Sequence, residues 1–441
     1  MKKFLDFKRI MFMNEKILLL NPKIPGDILG GFPLSLAYLS SALKRDGFTN
    51  ILAIDCNIAE SRGPKEEIIR WKPDFIGVTM MVPSFPMGKQ KLEELSANLP
   101  ESKIFVGGIA AAVITDEVLS IKGVTGAYRG EGEKIISLLV NNSSGELWKN
   151  LAGISYILKG TRVDNDISDF IDDLDSIPFP DRTLVPFENY LQDIHGSDRK
   201  AASIISSRGC PYQCTFCYRG PAAGKKFRAR SAENVVVEMD QLAEQGVTAF
   251  MIWDDNFMLN KKRVSDFCDL IKHKDYEWKI QMRADSADEH ILKKMRCSGC
   301  VAVNIGIESG NEEVLKYMKK GITKMQSRNA VRLCRENGIF VNAYFILGTP
   351  WDTISSIMET VDFAKEIAPD KAHFFEATPY PGTEMRDVAI RMGLKINDSW
   401  GEYRMKKTDA PIIETKTYSK DDLHKIIGEA NEYFKSYNHD A

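Results

Sequence analysis

The chain has 441 residues, 44% of them hydrophobic and 27% charged, with a net charge of −2. That length allows two or three domains, and that much apolar material excludes wholesale disorder. Balanced charge leaves no electrostatic footprint for nucleic acid or a membrane surface, so a small-molecule or protein substrate is expected.

No apolar run approaches the ~18 residues that span a bilayer. The opening "MKKFLDFKRIMFMNEKILLLNP" begins like a signal peptide, but Asp6, Lys8, Arg9, Glu15 and Lys16 interrupt it and no small-residue cleavage site follows. A reducing, cytoplasmic setting is therefore expected, in which clustered cysteines are metal-binding or catalytic rather than disulfide-bonded.

From Lys16 the pattern alternates strand and helix. "KILLLNP" (Lys16–Pro22) reads as a buried strand, and "PLSLAYLSSALKRDG" (Pro33–Gly47) as a helix opened by Pro33 and stopped by Gly47. "NILAIDCN", "DFIGVTMMV", "KIFVGGIAA" and "GAYRGEGE" follow as strands. Buried strands separated by helices predict a parallel, doubly wound α/β sheet, which binds ligands beyond the carboxyl ends of its strands. Small turns stand there: Gly26, Gly30–Gly31, Gly107–Gly108 and Gly130. A polar connector follows, with a β-like "GISYILKGTRV" and the helix-averse "DDLDSIPFPDR". The expected division is a doubly wound domain over 14–145, a connector over 146–199, a second domain over 200–385 and a small helical C-terminal region over 386–441.

The second pattern starts at "ASIIS" and repeats strand and helix through "TAFMIW", "WKIQMRA", "VAVNIGIE", "FVNAYFIL" and "AHFFEAT". Six βα-type strands predict a (βα)6 partial TIM barrel or a second open parallel sheet. Alternation tells the faces apart. Val301, Val303, Ile305 and Ile307 oppose Ala302, Asn304, Gly306 and Glu308; Trp278, Ile280 and Met282 oppose Lys279, Gln281 and Arg283; Asn342 and Tyr344 oppose Val341, Ala343 and Phe345. The apolar faces belong against helices. The polar faces then line an interior suited to a polar ligand.

Between the first of these strands and its helix lies "SSRGCPYQCTFCYRG", with Cys210, Cys214 and Cys217 in C-x3-C-x2-C spacing. A structural zinc site closes with four ligands, and no further Cys or any His lies between Arg199 and Trp253. Three thiolates can instead hold three irons of a cubane cluster and leave the fourth iron open.

In this position the motif resembles that of the radical S-adenosylmethionine (SAM) superfamily. "FRARSAENVV", "IWDDNF", "MRAD", "GIESGNEEVLKYMKKG", "FILGTPWDT" and "PYPGTEM" resemble later segments of its cobalamin-binding and methylthiotransferase-like members. "IWDDNF" stands where many members carry Gly-Gly-Glu. The resemblance implies a 4Fe-4S cluster on Cys210, Cys214 and Cys217, whose open iron is chelated by SAM. One-electron cleavage then releases a 5′-deoxyadenosyl radical that abstracts hydrogen from unactivated carbon. It further implies that Phe216, immediately before Cys217, contacts SAM and that Asp254 and Asp255 lie near the SAM amino group. Arg283, Glu308 and Ser309 would meet its carboxylate or ribose. A salt bridge inside the lumen, Arg283 with Glu308, is the structural alternative. Tyr344 and Glu376 are carried as catalytic candidates.

The N-terminal half, through "FPLSLAYLSSALKRDGF", "PDFIGVT", "FVGGIAA" and "YRGEGEK", resembles the cobalamin-binding domain fused to one large radical SAM branch. Leu34, Thr79, Gly107, Gly108, Gly130 and Glu131 are the implied corrin contacts. The D-x-H-x-x-G motif that supplies a lower axial histidine is absent, and all 6 histidines lie at His195 or beyond.

"CSGC" at Cys297–Cys300 reads as core or helix-end thiols, and "GEGEK" lacks phosphate-loop spacing. The favoured function is a cobalamin-dependent methyltransferase acting on an unactivated carbon of a small molecule. The runner-up is a radical SAM dehydratase, cyclase or rearrangement enzyme that keeps the N-terminal fold. RNA or protein methylthiolation expects an N-terminal three-cysteine domain, whereas this half has only Cys56. A non-enzymatic sensor would bind cluster or corrin without cleaving SAM. Expected partners are the substrate and an electron donor such as flavodoxin or ferredoxin, for a monomer or homodimer.

Overall fold

The structure, a computed structural model, describes residues 14–25, 31–58, 65–167, 170–218, 220, 224, 226–403 and 413–437. Most of the charged opening segment, Gly26 and Gly30 lie outside them. The chain divides after Tyr190 into two compact units. Among the described residues no helix is long and apolar enough to cross a membrane.

In the first unit β1 (Ile17–Asn21), β2 (Ile51–Asp55), β3 (Phe75–Thr79), β4 (Lys103–Gly107) and β5 (Val124–Tyr128) are joined by β6 (Ile154–Leu158) and β7 (Thr161–Asp164). Their order is β2-β1-β3-β4-β5-β6-β7. The first five are parallel, and β6 and β7 add as an antiparallel hairpin. This is the doubly wound order whose topological switch lies between β1 and β3. β1 is buried at every apolar position from Ile17 to Leu20, as a strand covered on both faces must be. Two expectations shift. The fifth strand ends at Tyr128, because Arg129–Glu133 turn with Gly130 packed against the Tyr128 ring. Part of the connector becomes sheet, since β6 pairs with β5 at Tyr128↔Ile154.

In the second unit β8 (Gln192–Asp193) and β9 (Lys200–Ile204) precede the ribbon β10 (Ser207–Arg208) and β11 (Arg228–Ala229). Then come β12 (Ala249–Ile252), β13 (Glu277–Arg283), β14 (Cys300–Glu308), β15 (Phe340–Leu347) and β16 (Lys371–Glu376). Sheet order is β16-β15-β14-β13-β12-β9-β8, parallel except for β8. Six consecutive parallel strands with a helix after each of the first five form a (βα)6 half-barrel. The helices start where their caps dictate. The side chains of Ser231, Asn260, Asp288, Asn311, Thr323 and Thr353 each accept the backbone N–H three residues on.

Val301, Val303, Ile305 and Ile307 are fully buried or nearly so, together with Trp278, Ile280, Val341, Ala343 and Phe345. The opposite face curves inward. Lys279 on β13 is electrostatically close to Lys371 on β16, although β14 and β15 lie between them in the sheet. Toward the amino ends of the strands Ile194, Ala201, Ala249, Met251, Val301 and Ala302 form an apolar cluster with Phe340 packed against it.

Candidate active site

The three cysteines occupy the loop after β9 and β10, at the carboxyl end of the barrel. The loop is tied to later segments: the Thr215 N–H donates to Met318 O at 2.9 Å, and the Met385 N–H donates to Thr215 O at 2.8 Å. Cys214 is buried, Cys210 half-buried and Cys217 exposed. The hydrogen bond from Cys217 pushes the Cys214 thiol down to about 6; burial opposes this, and the charges of Lys320 and Arg283 add to it. The Cys217 thiol shifts the other way, and burial raises Cys210. Three thiols that must all become thiolates therefore sit beside two permanent cations.

Arg283, last residue of β13, reaches to 3.8 Å from Cys214 Sγ and stacks 3.6 Å from the centroid of the Tyr212 ring. Its remaining donors go to Asp285 at 3.0 Å and to Lys320 O at 2.6 Å. Glu308 does not pair with Arg283, as the structural alternative had it. Its carboxylate pairs with Lys320 at 2.6 Å, both side chains 8% exposed. Glu308 has φ of 69°, and the β14–β15 register slips between Gly306 and Glu308. A side chain at Gly306 would collide with this ion pair, which explains glycine there. Lys320 also lies 5.7 Å from the Phe216 ring centroid. Phe216 packs into an apolar cluster with Ile346, Trp351, Ala377, Met385, Leu394 and Ile413.

Three of the expected site residues have their polar atoms engaged by protein partners. Asp254 is fully buried. It accepts the Ser206 and Ser207 N–H groups at 2.6 and 3.0 Å and both their hydroxyls at 2.6 Å. Four donors saturate the carboxylate, so it fixes the backbone entering the cysteine loop, and Asp255 is the exposed neighbour. Ser309 is 1% exposed and bonds Thr360 Oγ1 and the Asn311 N–H, which commits its hydroxyl to the loop that follows β14. Glu376 bonds His424 Nε2 at 3.2 Å, with both side chains largely buried, so the helix Lys420–Tyr437 occupies it. Tyr344 stacks on His373 and Phe375 and is half-buried, with its hydroxyl raised by burial. Lys320 was not foreseen, because it follows a short helix in a segment that reads as a basic helix end.

In the first unit Thr79, Gly107, Gly108, Gly130 and Glu131 stand at or just beyond the carboxyl ends of β3, β4 and β5, where this fold binds ligands. Gly107 is open, with nothing nearer than 3.8 Å to a Cβ placed there. Gly108 has φ of 86° and passes close to the Met80 backbone. Met81, just beyond the carboxyl end of β3, is exposed. Leu34 is buried in the core at the start of its helix. At the β1 and β2 ends, Asp55 Oδ1 accepts from Asn21 and Asn57, while its buried Oδ2 has no partner among the described residues. Sequence reading missed this carboxylate.

The fold and the cysteine loop define a class: a doubly wound domain followed by a parallel half-barrel with a three-cysteine loop at the carboxyl end of its strands. The B12 binding domain profile matches residues 29–140, and the Radical SAM superfamily profile matches residues 204–364. An uncharacterized methyltransferase of Pyrococcus horikoshii, PH0819, is 31% identical over 409 residues, covering 91% of this chain and 87% of that protein. The anaerobic magnesium-protoporphyrin IX monomethyl ester cyclase of Cereibacter sphaeroides is 28% identical over 93% of this chain and 68% of its own length. The fold also matches OxsB, a cobalamin-dependent SAM radical enzyme solved with aqua-cobalamin and SAM, at a TM-score of 0.70 and 21% identity. That match covers 80% of this chain and 52% of the OxsB chain, so this chain spans about half of OxsB. The chain belongs to the radical SAM enzymes that carry a cobalamin-binding domain. Their cofactors are a 4Fe-4S cluster and SAM in the barrel and cobalamin in the first unit.

Proposed function

We propose that the protein is a cobalamin-dependent methyltransferase that acts on an unactivated carbon of a small molecule. The carrying observation is the pairing, in one chain, of a B12-binding domain with an intact three-cysteine loop. The family's cofactors would supply a methyl group and a hydrogen-abstracting radical. Cys210, Cys214 and Cys217 would hold the cluster. Arg283 and Lys320 would balance its negative charge and orient the carboxylate of SAM, and Glu308 keeps Lys320 in place. Asp255, rather than Asp254, would face the SAM amino group. The half-buried Tyr344, His373 and Phe375 wall the lumen and screen it from water. Thr79, Gly107–Gly108 and Gly130–Glu131 would border the corrin, without a histidine from this unit as lower ligand. A low-potential donor of the flavodoxin or ferredoxin kind would deliver electrons.

The test is anaerobic reconstitution with iron, sulfide, cobalamin, SAM and a strong reductant, offered a panel of small-molecule acceptors. S-adenosylhomocysteine formed together with 5′-deoxyadenosine is the expected result. The named cyclase relative motivates the second reading, and 5′-deoxyadenosine without S-adenosylhomocysteine would favour it over methyl transfer.

A further inference from the structure

Deep in the barrel, on the inward face of the sheet, lies a group of polar side chains of which the chemistry above uses only His373, as a wall of the lumen. Lys279 of β13 is 6% exposed and, among the described residues, has neither a carboxylate nor a hydrogen-bond partner. Lys371 opens β16, and its Nζ lies 3.5 Å from His195 Nε2. His373, two residues along β16, shares the same field. Between these strands Asn304 and Asn342 are neighbours in register, and Asn342 pairs in turn with Lys371. Among the described residues, both amide atoms of the 1%-exposed Asn342 are unpartnered, as is Asn304 Oδ1.

The groups facing one another are thus two lysines and two histidines. Burial and the lysine charges push His195 down to about 4 and His373 down as well, so both are neutral at pH 7. Asp193 is an opposing charge near His195, but it is exposed in an ion pair with Lys200. A buried ammonium without a partner, as at Lys279, and orphaned amides are costly in a folded interior, and a ligand that satisfies them removes the cost. Asn342 needs one donor and one acceptor whichever way its amide is turned, so the complement carries both an anion and an O–H or N–H.

We propose that the lower lumen is an anion subsite for the substrate: Lys279 and Lys371 pair with a carboxylate or phosphate head, and Asn304 and Asn342 bond a hydroxyl or amine beside it. The expected substrate class is a hydroxy acid, an amino acid or a phosphate ester held with its remainder toward the cysteine loop. This rests on reading the lumen as the substrate chamber, but methyl transfer is not measured in its test.

Burial, followed by the charge of Lys371, pushes Lys279 down to about 8. An anion restores its proton, so binding near pH 8–9 takes up protons, and affinity falls up to tenfold per pH unit above about 8. Anaerobic, cluster-loaded protein would be titrated calorimetrically with glycolate, inorganic phosphate and neutral ethylene glycol, in two buffers of different ionisation enthalpy. Expected are saturable binding of glycolate or phosphate with proton uptake, no response to ethylene glycol, and at least tenfold weaker binding in Lys279→Met. The exposed Lys272→Met should bind as wild type does. Glycolate bound more tightly than phosphate would assign a carboxylate head, and the reverse a phosphate. Absence of both, binding without proton uptake, or an equal response to ethylene glycol overturns the subsite. If Lys279→Met loses its cluster absorbance, Lys279→Gln and the wild-type proton uptake still decide.

Discussion

Asp254→Asn separates two roles for one carboxylate. In the structure, four hydrogen bonds from Ser206 and Ser207 converge on Asp254, and the Ser206 hydroxyl also accepts from Arg263 at 2.6 Å. Asparagine keeps one oxygen for the two backbone N–H groups, but these become neutral bonds of about half the strength. Its NH2 then faces two hydroxyls that had been donating, and the Ser206 hydroxyl is left with two donors and no acceptor. Losing about 0.5–1 kcal/mol at each of four bonds gives roughly 3 kcal/mol. In a unit of some 250 residues that lowers the melting temperature by roughly 6–12 °C. Anaerobic thermal melts with SAM binding by equilibrium dialysis would read both effects. Asp254→Asn should melt early and lose iron. Asp255→Asn should melt within about 2 °C of wild type, as exposed substitutions do, and bind SAM more weakly. If Asp254→Asn melts with wild type and only SAM binding fails, the positioning role is wrong.

Lys320→Met leaves the Glu308 carboxylate buried without its cation and should cost about 3–5 kcal/mol, while the double variant Lys320→Met/Glu308→Leu should recover much of that in a thermal melt. Cys214→Ala should abolish the brown cluster absorbance; unchanged colour would remove this residue from the ligand set. Gly108→Ala forces a side chain into a glycine-only conformation and against Met80 O at 2.7 Å, so the first unit should lose roughly 2–4 kcal/mol and retain less cobalamin on gel filtration. Burial, then Asp74, raises Glu15 to about 7, so the folded form binds the proton more tightly and stability falls as pH rises from about 4.5 to 7. Glu15 is half-buried, so Glu15→Gln should return only about 1–2 kcal/mol at pH 8 and flatten that slope; parallel wild-type and variant profiles would refute it.

The first sheet was legible because burial on two faces leaves an unmistakable apolar run, as in "KILLLNP" and "DFIGVTMMV". The inward face of the barrel was legible because strand alternation has period two, which put Lys279, Asn304, Asn342 and Tyr344 on one side. Pairing was not legible. Glu308 could meet Arg283 or Lys320, and only the backbone turn at 308 decides for Lys320. Asp254 and Asp255 are adjacent carboxylates at a strand end, and one residue of phase separates a buried anchor from an exposed group. The engagement of Glu376 depends on His424, 48 residues away in sequence. Lys279 carried no sign of lacking a partner, because a missing contact leaves no mark on local pattern.

The register slip after Gly306 divides β14 into two stretches that answer to different demands. Below it, Asn304 keeps the alternation shared with Gln281, Asn342 and Lys371. Above it, Glu308 is aimed by its own backbone and no longer by the phase of the strand. Side chains in the lower stretch can therefore be exchanged by mutation without re-aiming the Glu308–Lys320 pair beside the cysteines. Such a barrel can change its substrate over evolutionary time while its radical-generating end stays fixed.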